Sequence, residues 1–194
     1  MAKICSLRPN VTRDQAVEKF SSRGPAGLTR SAFFGPLRSV ADFYIPFRVF
    51  RLDIRNRGRL EQRFLAVDSA NGTLMPYSFS QPPTESELLL LETRNHAPAS
   101  LPQRDAADIA ITKVQRLLFA TGFFRVRGLK ISAEPMTEIH VPYWIGFRGR
   151  GERANFTVVD AVRRRVEGAK VRHMIQNWLT LQSQSPTGQM DAGN

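Results

Sequence analysis

Two stretches of this chain read alike, and an internal repeat constrains architecture before any single motif does. Tyr44-Ile-Pro-Phe-Arg-Val-Phe50 leads through a short basic turn to Phe64-Leu-Ala-Val-Asp-Ser-Ala-Asn-Gly72. His140-Val-Pro-Tyr-Trp-Ile-Gly-Phe147 leads through a Gly/Arg turn to Phe156-Thr-Val-Val-Asp-Ala161. The spacing holds beyond these stretches. Asp14 to Asp105 is 91 residues, Phe34 to Phe124 is 90, Pro46 to Pro142 is 96 and Asp68 to Asp160 is 92. A drift of a few residues belongs to loops, where insertions are tolerated. The unit that recurs is a helix, a strand, a long strand, a returning strand and a short hairpin partner.

Local signals place these elements. Residues 1–11 read as an irregular arm. Thr12-Arg-Asp-Gln15 has the form of a capping box, and Ala16, Val17 and Phe20 then share a helical face. Phe43 to Arg55 is rich in aromatic and β-branched residues and reads as a strand. Its apolar face passes from Phe43, Ile45, Phe47 and Val49 to Phe50, Leu52 and Ile54, a one-residue shift of the kind a β-bulge produces. Leu60 to Asp68 returns, Asn71-Gly72 makes a tight turn, and Thr73 to Phe79 is a third strand with Pro76 marking an edge. The Pro-rich stretch 80–103 reads as a linker, and Glu87 to Glu92 within it fits either a short helix or a strand. In the second unit, Ala106, Ile109, Ala110, Val114, Leu117 and Leu118 form an amphipathic helix ended by Gly122. A strand follows around Phe124 to Ser132. Ile139 to Phe147 alternates, Ala154 to Asp160 returns, and Val171, Met174, Ile175, Trp178 and Leu179 make a last amphipathic helix.

The expected fold class is therefore α+β: two tandem α-β-β-β repeats, antiparallel sheets each curling over its helix and joined into one continuous or pseudo-symmetric body, and a C-terminal amphipathic helix. The expected boundaries are 1–79 for the first repeat, 80–103 for the linker, 104–182 for the second repeat with its helix, and 183–194 for a disordered tail.

Composition narrows the class further. With 194 residues, 42% hydrophobic and 23% charged, the chain can bury a sizeable core. No apolar run approaches the ~20 residues of a membrane helix, and the N-terminus shows no signal-peptide pattern; the expected location is the cytoplasm. The single cysteine, Cys5, has no intramolecular partner for a disulfide and lacks the neighbours of a zinc site. The net charge is +11. It is concentrated in residues 1–63 (net +8) and 113–194 (net +7), whereas 64–112 carries −4. Such a surface steers polyanions toward it.

A leading helix and an apolar strand closing on Val-Asp-Ser or Val-Asp-Ala before a tight turn resemble PepSY-like domains. The residues that carry the resemblance are Ala66-Val-Asp-Ser-Ala-Asn-Gly-Thr-Leu74 and Val158-Val-Asp-Ala-Val-Arg-Arg-Arg-Val166. The second copy departs from the pattern by placing arginines where the first has Gly72. A tandem of such units also resembles the architecture of β-lactamase inhibitory proteins, whose sheet forms a binding surface. The resemblance implies a binding or inhibitory module without catalytic residues.

The residues themselves offer little chemistry. His96, His140 and His173 stand at no metal-ligand spacing from one another or from Cys5, and no cofactor motif is present. Gly149-Arg-Gly151 lies between strands and opens no helix, so it is a hairpin turn and not a phosphate loop. Asp68 and Asp160 are expected to bond the turn amides that follow them. The candidate partner-binding residues are Tyr44 and Arg48 of the first long strand and His140, Trp144 and Arg148 of the second, aromatics and arginines interleaved on one sheet face. A competing expectation is that other parts of the chain cover this face. Arg163, Arg164 and Arg165 form the candidate polyanion site. The expected function is non-enzymatic binding of a protein or peptide through a sheet face. The alternatives are nucleic-acid or polyanion binding through arginines, and a small-molecule enzyme with a pocket between the repeats using Asp68, Asp160 or His140.

Overall fold

A computed structural model describes residues 1–21, 35–56, 58–120, 128–149 and 154–184. Among the described residues, three helices pack on one curled, mixed sheet of eight strands. In chain order these are β1 (Ala2–Leu7), α1 (Arg13–Phe20), β2 (Leu37–Asn56), β3 (Arg59–Asp68) and β4 (Tyr77–Phe79). A single 3-10 turn (Glu85–Glu87) leads to β5 (Leu88–Thr93), followed by α2 (Gln103–Ala120), β6 (Lys130–Arg148), β7 (Asn155–Asp160), β8 (Arg165–Val166) and α3 (Ala169–Gln184). No described helix is long and apolar enough to cross a membrane. Phe33-Phe34, Gly122, Phe123-Phe124, most of the Gly149–Gly151 turn and residues 185–194 lie outside the described residues.

The two long strands β2 and β6 form the spine, antiparallel over nearly their whole length, with Ile45 opposite Val141 near the middle. The register shifts between Val49 and Phe50, where the apolar pattern changes phase. Phe43, Ile45, Phe47 and Val49 therefore face one side, with Val141, Tyr143 and Ile145. Phe50, Leu52 and Ile54 face the other. On the first side α3 lays Val171, Met174 and Ile175 into the core, and Trp178 meets the Phe43 ring edge-on at 4.8 Å.

The other two helices divide the second side between them. α2 places Ala106, Ala110, Val114 and Leu118 on Phe50, Leu52, Leu65 and Val67 of β2 and β3. α1 places Ala16 and Phe20 against Val40, Val159 and Ala161. α1 thus lies on β2 and β6, and α2 on β2, β3 and β6, so each of these two helices contacts strands of both halves. The reason is steric. The Phe20 ring lies 2.7 Å from where a Cβ of Gly146 would stand, so only glycine on β6 leaves room for it. Small alanines of α2 face the bulky Phe50 instead.

Similar hydrogen bonds are made in the two halves. Ser69 N donates to Pro46 O (2.8 Å) and Ala161 N to Pro142 O (3.1 Å). Leu101 N donates to Ser69 O (2.7 Å) and Asn10 N to Ala161 O (2.8 Å). β1 pairs in parallel with β6 at Ser6–His140, and the chain after β5 bridges in parallel to β2 at His96–Tyr44.

Further expectations change. The supposed irregular arm holds β1, which pairs antiparallel with β5 over its full length. The stretch read as a linker thereby contributes a strand to the sheet. Ser132 and Ile139 belong to one continuous strand, β6. The third strand shortens to Tyr77–Phe79 because Asp68 holds the turn as far as Leu74, whose N–H donates to Oδ2 at 2.8 Å. The capping box forms as read: Gln15 N donates to Thr12 Oγ1, and Thr12 N to the Gln15 side chain.

Candidate functional site

Tyr44, Arg48, His140, Trp144 and Arg148 do share one face, as alternation along β2 and β6 requires, and other segments of the chain bond three of them. Trp144 Nε1 donates to Val11 O at 2.8 Å, just ahead of α1. Arg48 pairs with Glu138 at 3.2 Å and leans on Leu101 O at 3.5 Å, just ahead of α2. Arg148 is buried and donates to Gly35 O at 3.2 Å and to Phe20 O. That second bond places its charge at the C-terminus of α1, where the helix dipole favours a cation. His140 and His96 meet edge to face at 6.1 Å. Burial holds the His140 pKa below the usual histidine value, with Glu138 and the Cys5 backbone opposing and His96 adding slightly. The Tyr44 phenol is pushed up to about 12 by burial and then by Asp42 beside it.

The aspartates close turns. Asp68 Oδ1 accepts from Asn71 N and Gly72 N, both at 2.9 Å. Asp160 Oδ1 accepts from Val162 N (2.9 Å) and Arg163 N (2.7 Å), and its Oδ2 accepts from the Tyr77 hydroxyl. Both carboxylates are fully buried. Two depressions, of about 560 and 210 Å³, lie at Asp53–Lys130 and at Asn155–Arg172, and neither is lined by Asp68, Asp160 or His140.

The three consecutive arginines diverge. The Arg163 guanidinium stacks 3.5 Å over the Tyr77 ring and donates to Pro76 O. Arg165 binds Glu167 at 2.8 Å, which raises its pKa. Arg164 is exposed and takes φ +58, the left-handed turn conformation that Gly72 takes at φ +73 in the first half. Among the described residues no group of three or more His, Cys, Asp or Glu side chains is placed to hold a metal ion.

Sequence reasoning passed over the free edge of β5. On one side β5 pairs with β1, and it ends the strand order, with no strand along its other side among the described residues. Arg8 N donates to Glu87 O at 2.8 Å, which sets the phase of the ladder. Leu89, Leu91 and Thr93 direct their backbone groups to β1, and Leu90 and Glu92 direct theirs outward. Leu90 is 87% exposed. The ribbon is held at both ends. Glu87 caps the preceding turn by accepting from Thr84 N at 2.8 Å. After β5 the chain closes onto β2, with Tyr44 N on Asn95 O at 2.8 Å and Ala97 N on Tyr44 O at 2.9 Å. The sequence signal was the run of four leucines, 88–91.

Comparison with protein-family models, with curated proteins and with solved structures finds no match for this chain.

Proposed function

We propose that this chain is a non-enzymatic binding module, assembled from two copies of a PepSY-like α-β-β-β unit, that binds a protein or peptide through the outer edge of β5. The recurring hydrogen bonds at Pro46 and Pro142, and the paired parallel bridges Ser6–His140 and His96–Tyr44, support the duplication. A catalytic reading has less support, because Asp68 and Asp160 are fully buried and spend their oxygens on turn amides and a phenol.

One observation carries the binding reading: among the described residues β5 ends the strand order with a six-residue, leucine-rich edge, whereas β4 at the other end is only three residues long. An unpaired edge is a template for another strand, and proteins blunt such edges with charge or proline. The side of β6 over 130–138 that pairs with no strand among the described residues carries Lys130, Glu134, Pro135 and Glu138. The part of β3 beyond β4 carries Arg59, Glu61 and Arg63. β5 carries four leucines and, on the strand itself, one charge, Glu92. Its exposed ion pair with Lys3 (3.6 Å) contributes little. An edge held rigid at both ends loses little entropy when an extended segment adds to it.

The test is selection from a displayed-peptide library against the full chain, with Leu90→Lys as the counter-target. Enrichment of extended, alternately apolar peptides that bind the wild type and not the variant is the expected result. Peptides that bind both equally would overturn the assignment to β5.

A further inference from the structure

We propose that the occupant of this edge is a second copy of the chain: two β5 strands pair antiparallel about a two-fold axis, Leu90 against its own counterpart. This deepens the binding reading above and rests on it. A closed dimer requires a self-complementary patch, and an edge strand meeting its own copy across a two-fold axis must run antiparallel.

The outward phase of the backbone limits the register. Outward-facing residues must meet outward-facing residues, so Leu90 and Glu92 can pair only with positions of their own parity. Centring the axis on Leu90 satisfies this and sets Leu89 opposite Leu91 on the other face. Leucine then meets leucine on both faces of the new sheet. The flanks fit as well. Antiparallel pairing brings Arg94, which follows β5, toward the 3-10 turn Glu85–Glu87 that precedes β5 in the copy, at each end of the joined ribbon. All three of those side chains other than Ser86 are charged, and Arg94, Glu85 and Glu87 are exposed in the single chain. A register centred on Leu89 sets Glu87 opposite Leu91, just as the first sets Glu92 opposite Leu88, but it carries Arg94 past the acidic turn, so the flanking charges favour the first.

The experiment is sedimentation velocity on the full chain, wild type and Leu90→Lys, together with disulfide trapping in the double variant Cys5→Ser, Leu90→Cys. Cys5 is replaced because it stands opposite Leu90 within the chain. Hydrogen-bonded antiparallel partners have Cα atoms about 5.5 Å apart, inside the range a disulfide spans. The expected results are a wild-type dimer, a dissociation constant raised at least about thirtyfold by Leu90→Lys, and cross-linked dimer from Leu90→Cys but not from Cys5→Ser, Met75→Cys. Leu90 is exposed, so both variants should keep the wild-type melting temperature of the monomer. A wild-type chain that stays monomeric overturns self-pairing, as does a dimer indifferent to Leu90→Lys. If the monomer still captures peptides that Leu90→Lys refuses, only the identity of the occupant is wrong. If it captures none, the binding reading falls too.

Discussion

Asp160→Ala is expected to cost about 3–5 kcal/mol of folding stability, measured by urea denaturation. The carboxylate serves three donors at once: the amides of Val162 and Arg163 and the hydroxyl of Tyr77. Its removal leaves three donors without an acceptor in a site closed to water, and each such donor costs about 1–3 kcal/mol. Tyr77 also carries the stacked Arg163 and meets Phe47 edge-on at 5.2 Å, so the damage passes from a turn into the core. Asp68→Ala removes the acceptor for the amides of Asn71, Gly72 and Leu74 and should cost a similar amount. Losses below about 1 kcal/mol for either would mean that the turns hold without their aspartates.

The tyrosines make the second large effect. The chain has three, Tyr44, Tyr77 and Tyr143, and the pKa of each is raised. For Tyr77 and Tyr143 burial is the main cause. For Tyr77 the Tyr143 ring comes next and then the Asp160 charge, and for Tyr143 the Asp160 charge is second. A phenol whose pKa is higher in the folded state holds its proton while the unfolded chain releases it. Stability is therefore unaffected below the ordinary tyrosine pKa near 10 and falls as pH rises above it. Each of the two buried phenols contributes a slope of about 1.4 kcal/mol per pH unit. Together they remove roughly 5 kcal/mol by pH 12, comparable to the whole stability of a typical domain. Half-exposed Tyr44 adds less, because water screens its neighbours. Tyrosinate absorbance at 295 nm should stay low above pH 10 and then rise together with unfolding monitored by far-UV circular dichroism. Tyr143→Phe should flatten the alkaline slope by about one phenol's share. A smooth tyrosinate titration near pH 10 in the folded protein would contradict this burial.

Much of the sheet was legible because its signals are local. The phase change at Val49–Phe50 is written in the apolar alternation. The aspartates before tight turns announce where β3 and β7 end. Other features needed the tertiary structure. β1 is six residues long and half exposed, so its alternation is weak next to Pro9. Four consecutive leucines have neither a two-residue nor a 3.6-residue period, which left β5 undecided between helix and strand. Periodicity also says which face of a helix is apolar, but not which part of a sheet receives it. The seat of α1 depends on Phe20 fitting over Gly146, a contact between residues 126 positions apart.

The candidate site shows the same division. Alternation placed Tyr44, Arg48, His140, Trp144 and Arg148 on one face. It could not show that the segments ahead of α1 and α2 and the end of α1 supply carbonyls to three of them: Val11 to Trp144, Leu101 to Arg48 and Phe20 to Arg148. Interleaved arginines and aromatics mark a binding face only where no local carbonyl has claimed their donors. An edge strand is harder still to see, because it is defined by a neighbour that is missing.

Residue-resolved amide exchange along β5 is the most direct test of that edge. In dilute protein, Leu89 and Leu91 should be protected by β1, while Leu90 and Glu92 exchange rapidly. On raising the concentration or adding a selected peptide, Leu90 and Glu92 should gain protection in the wild type and not in Leu90→Lys. Equal protection of all four amides in the dilute chain, or no change at Leu90 and Glu92 on binding, would contradict the account.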